Sequence, residues 1–64
     1  VNAPVLCTLY RLGMGKAGIL AEKYMTEGER RARIARLRSY GLYDVLWVPP
    51  SSLTTLLEAH DEKA

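Results

Sequence analysis

An α+β fold of order β-β-α-β-α is predicted by three observations: two short apolar runs rich in β-branched and aromatic residues, one Arg-rich segment bracketed by helix start and stop signals, and two glycine or proline breaks between them. The expected architecture is a small antiparallel or mixed three-stranded sheet with the Arg-rich helix on one face and a short C-terminal helix. Val5 to Leu12 (VLCTLYRL) is too short for a buried helix and reads as the first strand. Gly13 to Gly18 holds three glycines in six residues, which is turn chemistry that admits positive φ. Ile19 to Met25 fits either a strand or a helix by periodicity. The turn before it favours the second strand of a hairpin.

Thr26-Glu27-Gly28-Glu29 has the capping-box spacing, in which Thr26 accepts from a first-turn N–H and Glu29 reaches back to the Thr26 N–H. Glu27 and Glu29 lie at the positive end of the helix dipole, Arg36 and Arg38 near its negative end, and Gly41 suits the left-handed stop. A helix over about 27–40 follows. Leu42 to Val48 is the third strand, ended by Pro49-Pro50, because proline removes a ladder donor and forces the preceding residue to be extended. Ser51 or Ser52 is expected to cap a last helix from Leu53 to about His60, with Leu53, Leu56 and Leu57 as its apolar stripe. The simplest sheet order is 2-1-3, with a right-handed crossover through the Arg-rich helix.

At 64 residues with a 48% apolar composition, the chain is one domain near the lower size limit for folding without metals or disulfides. Its ordered core is expected over about 4–57, with 58–64 a frayed acidic tail holding His60 as a solvated residue. Both strand faces are apolar: Val5, Cys7 and Leu9 point one way on the first strand, and Leu6, Tyr10 and Leu12 the other. On the third strand Tyr43, Val45 and Trp47 oppose Leu46 and Val48. A second apolar face needs a cover, either the C-terminal helix, a second copy in a homodimer, or another protein.

Catalysis needs convergent groups, and few are present. His60 has no companion ligands or nucleophile at a recognisable spacing, and the lone Cys7 excludes an internal disulfide or a cysteine-based zinc cluster. Cys7 reads as a small buried hydrophobe in a reducing, cytoplasmic setting. Gly13-Met14-Gly15-Lys16 is shorter than a phosphate-binding loop, and Ala17 stands where a Ser or Thr would be needed. No enzyme activity, cofactor, metal or small-molecule substrate is expected. No stretch approaches the roughly 18–20 apolar residues of a membrane span, and no signal peptide is read at the N-terminus.

Arg30 to Arg38 (RRARIARLR) carries five of the six arginines and no acid, against a net charge of only +2. At about 100° per residue, Arg30, Ile34 and Leu37 share one face with Arg33 and Arg38 on its flanks, while Ala32, Ala35 and Ser39 lie opposite beside Arg31 and Arg36. Leu37 is expected to be the buried anchor, and Arg30 to be partly buried and paired with Glu22 or Asp44. The arginines thus encircle a thin apolar stripe and do not form one basic face. The expected function is a small protein-binding module of accessory or inhibitory type, self-associating through its sheet and docking on another protein. Arg31, Arg33, Arg36, Arg38, Tyr10, Leu12, Leu46 and Val48 are its candidate contacts. Nucleic-acid binding through the basic helix is the alternative. It lacks an accompanying base-reading module.

Overall fold

The computed structural model describes residues 3–63, with side-chain environments up to Asp61. Its elements are β1 (Val5–Arg11), a 3-10 turn (Gly15–Gly18), β2 (Ile19–Met25), α1 (Glu27–Ser39), β3 (Val45–Val48) and α2 (Pro50–Lys63). The sheet order is β2-β1-β3, and β1 is antiparallel to both neighbours. The α+β class, the element order and the central place of the first strand all agree with the sequence reading.

Cross-strand pairs define the two faces. Leu9 faces Trp47 and Arg11 faces Val45, while Val5 faces Met25 and Cys7 faces Lys23. Leu6 with Tyr24, Tyr10 with Leu46, and Thr8 with Val48 make the other face. Helix α1 lies on the Cys7 face, where the charges of Arg30 and Glu27 act on the thiol. Helix α2 lies on the other, where Leu56 lines one concavity with Leu46 and Val48. Three layers result, and of the possible covers for the second face the C-terminal helix supplies one.

The hairpin shows why three glycines precede β2. Gly13 and Gly15 take φ of 82° and 58°, which a residue with a Cβ rarely adopts. Gly18 is needed for space: a Cβ there would meet the Arg11 carbonyl oxygen inside van der Waals contact and sit 3.0 Å from the Tyr10 ring. The β1–β2 ladder then slips at Leu9/Tyr10, where Leu9 pairs with Ala21 and Tyr10 with Ile19, so Leu20 is the extra residue of a bulge.

Both ends of α1 are locally encoded. The Thr26 N–H donates to Glu29 Oε1 at 3.0 Å and the Glu29 N–H donates to Thr26 Oγ1 at 3.2 Å, which is the complete capping box. At the far end the Gly41 N–H donates to the Arg38 carbonyl and the Leu42 N–H to the Leu37 carbonyl, with Gly41 at φ 81°. That pair of bonds is the Schellman motif.

Several expectations need correction. The third strand begins at Val45, not Leu42, because the Leu42 N–H is used to close α1 and Tyr43 stands 70% exposed in the turn. Helix α2 begins at Pro50, so Ser51 and Ser52 are first-turn residues and not caps. The Pro49 carbonyl accepts the first bond, from the Leu53 N–H, and Pro50 occupies a position where a missing N–H costs nothing. The same helix continues past His60, whose ring closes over Gly15. His60 is therefore half-buried and not a solvated tail residue. Of the expected frayed tail, Ala64 lies outside the described residues, as do the side chains of Glu62 and Lys63.

The core is small. Cys7, Tyr10, Met25, Val45 and Val48 are the buried apolar residues, joined by Thr8. The radius of gyration is 11.9 Å, above the about 11 Å of a well-packed chain of this length. Gly18→Ala should lower stability by about 1–3 kcal/mol through overpacking in the hairpin. Gly28→Ala, where a Cβ meets nothing within 4 Å, should raise it by about 0.5–1 kcal/mol. Urea unfolding of the two variants checks both signs.

Candidate protein interface

The exposed surface worth testing is built around α1. No residue of this helix is fully buried: Ile34 and Leu37, which face the sheet, are only half-buried, as is Trp47 of β3. Leu37 is thus a partial anchor, not the buried one expected. Arg30 contributes to the same seam, with a side chain 19% exposed. Its partner is Glu27, one turn back on the same helix, and not Glu22 or Asp44. Arg31 reaches the same carboxylate at 3.1 Å. Asp44 instead pairs with Arg11 at 3.6 Å across the end of β1. The correction has a local cause: a partner three or four residues away on a helix needs no tertiary arrangement.

The remaining arginines divide between two flanks. Arg33 and Arg36, one turn apart, line a concavity of about 240 Å³ with Glu29 and Ala32. The charge of Lys23 on β2 also reaches Glu29, so this flank is turned toward β2. Arg38 lies on the other flank with Arg31, beyond the exposed ridge of Ala32, Ala35 and Ser39. Among the described residues Arg33, Arg36 and Arg38 have no ion-pair partner. Just past the helix, Tyr40, Leu42 and Tyr43 are 73%, 40% and 70% exposed. These three residues were not among the sequence candidates. The Schellman turn that exposes them was legible at Gly41, but their outward direction depends on where β3 begins.

The sheet candidates fare differently. Tyr10 is buried beneath Gly18, and Val48 is buried where α2 starts. Leu46 is half-buried and Leu12 remains exposed at the hairpin end. As folded, Tyr10 and Val48 are core and offer no surface. The uncovered part of the sheet is β2, in which only Met25 is buried. Ile19, Leu20 and Tyr24 stand exposed along it.

Electrostatics around α1 favour its own folding. Its hydrogen bond with Arg30 holds the Glu27 carboxyl below its ordinary value of 4.5, and the hydrogen bonds to Thr26 do the same for Glu29. For a carboxylate with a lowered folded-state pKa, the stabilisation is present above the unfolded value and disappears as pH falls through the folded one. Burial pushes the Cys7 thiol up, and the nearby Arg30 charge only partly opposes this. Cys7 is fully enclosed, which makes it an inert thiol in the native state.

Among the described residues no group of three His, Cys, Asp or Glu side chains could hold a metal ion, and no helix is long and apolar enough to cross a membrane. No protein-family model, curated protein or solved structure matches the chain.

Two outcomes are expected. Leu37→Ala should cost about 1–2 kcal/mol, less than a fully buried leucine would, whereas Arg36→Ala should change stability by no more than about 0.5 kcal/mol. Denaturant midpoints read both. Far-UV circular dichroism should lose helix signal on acidification through the carboxylate range, and Glu29→Gln should flatten that part of the titration.

Proposed function

We propose that this chain is a small non-enzymatic binding module that self-associates and docks on another protein, in the manner of an accessory or inhibitory factor. The observation that carries the reading is the incomplete burial of α1. Its apolar stripe stays half-exposed while unpaired arginines and the Tyr40–Leu42–Tyr43 turn surround it. Arginine and tyrosine are enriched at interface centres, tyrosine because it supplies large contact area with few torsions to freeze and arginine because its planar fork binds acceptors through several N–H groups. The bare strand β2 adds apolar surface that a 64-residue chain has little capacity to waste. Its exposed backbone edge carries Glu22 and Lys23 and the Leu20 bulge, devices that limit indiscriminate strand pairing. That favours a specific partner.

Nucleic-acid binding is the second reading, supported by the two arginine flanks and exposed tyrosines suited to stacking. Its weakness is geometry: the flanks lie on opposite sides of a ridge of Ala32, Ala35 and Ser39 and give no continuous track for a phosphate backbone.

Sedimentation equilibrium across protein concentration, with a fluorescence titration of generic duplex and single-stranded DNA across salt, separates the two. Concentration-dependent mass without DNA retention at low salt is the expected result. A monomer at every concentration that binds DNA with a steep negative salt slope would replace the proposal with the nucleic-acid reading.

A further inference from the structure

Among the described residues the chain carries both halves of a charge-complementary contact and pairs neither within itself. On α1, Arg33 and Arg36 sit one turn apart on the flank turned toward β2, and Lys23 stands nearby. On α2, Glu58 and Asp61 are also one turn apart and both exposed, Glu58 opposite the half-buried Leu53, Leu56, Leu57 and His60 and Asp61 on the flank beside Leu57. Among the described residues none of these four has an ion-pair partner. The only carboxylate within the arginine concavity is Glu29, and it is held by the Thr26 N–H in the capping box.

The spacings match. Two residues three apart on a helix project from adjacent turns, so a pair of carboxylates at that separation meets a pair of guanidiniums at the same separation when the helices lie side by side. Arginine favours such a contact because its planar fork binds a carboxylate through two N–H groups. Ala32, which lines the same concavity as the two arginines, leaves room there for a second backbone to approach.

From this complementarity we infer that the partner seated on the Arg33/Arg36 flank of α1 is the Glu58/Asp61 flank of α2 from a second copy of the chain. A two-fold axis makes the contact reciprocal: α1 of each protomer meets α2 of the other, and the surface is used twice. Exposed ion pairs are individually weak, so the four carboxylate–arginine contacts set orientation and register, and the apolar area comes from the surfaces beside them. The inference rests on the self-association proposed above and names the surfaces that carry it.

The test is a charge exchange. Arg33→Glu with Arg36→Glu in one variant, and Glu58→Arg with Asp61→Arg in another, should each weaken self-association by at least about tenfold, because every contact becomes repulsive. Mixed together, the two variants should form a heterodimer, because both junctions are again complementary. Sedimentation velocity at low salt, with one variant fluorescently labelled, reads both effects, and circular dichroism confirms that each variant is folded. The wild-type association should weaken as salt rises and the charges are screened.

Heterodimer formation from two variants that do not self-associate supports the pairing. A wild-type dimer indifferent to both reversals, or a mixture that stays monomeric, overturns the pairing and leaves self-association through another surface standing. A wild-type chain that is monomeric up to high concentration overturns both, and retention of an acidic peptide or duplex DNA on Arg33 and Arg36 would then identify an outside partner for that flank.

Discussion

The structure depends on β1. Among the described residues it is the only strand hydrogen-bonded along both edges; α2 packs against it, and α1 lies over the opposite face of the same sheet, nearest β3. Cys7, Thr8 and Tyr10, half of the buried side chains other than glycine among the described residues, come from it, and they point to both faces. Everything else attaches to this strand at decreasing depth. β3 contributes Val45 and Val48 and β2 contributes Met25, while α1 contributes no fully buried residue. A chain of this length has too little apolar material to enclose two faces of three strands. The faces of β1 are completed first, and the deficit appears at β2 and at α1.

Helix α1 is consequently held by its ends more than by its packing. The capping box at Thr26 and Glu29 and the Schellman closure at Gly41 give intramolecular partners to terminal backbone groups that the helix itself leaves unbonded. Glu27 ties Arg30 and Arg31 back into the first turn. The dense arginine run is then explained in part without a ligand: Arg36 and Arg38 suit the negative end of the helix dipole, and Arg30 lays its stem over the seam beside Cys7. Arg33 is the least accounted for: its charge helps to lower the Glu29 carboxyl one turn back, but it makes no ion pair among the described residues and lines an exposed concavity.

Much of this architecture was legible in the residues because its signals are local. The caps of α1, the glycine turn, the proline stop and the placing of β1 between two strands each follow from a few neighbouring positions. The places where the reading failed depend on competition between elements. Leu42 and Tyr43 look like strand residues by composition, but the helix stop at Gly41 claims the Leu42 N–H first. Ser51 and Ser52 look like caps, but Pro49 and Pro50 already start the helix. His60 looked like a loose tail residue because nothing in its neighbourhood announces that Gly15, 45 positions earlier, leaves room for its ring. The candidate contacts divide in the same way: Arg31, Arg36 and Arg38 stand exposed on α1, whereas Tyr10 and Val48 are core, which depends on how the sheet is covered and not on their neighbours in sequence.

The central claim is that α1 is under-covered in a single copy and gains its cover by association. Hydrogen exchange followed by mass spectrometry at two protein concentrations tests it most directly. Protection in β1 should be the highest in the chain at both concentrations, and protection across Glu27–Ser39 should be weak in dilute protein and rise as the concentration is increased. If α1 is protected as strongly as β1 in dilute protein, or unchanged by concentration, the helix needs no partner and the account is wrong.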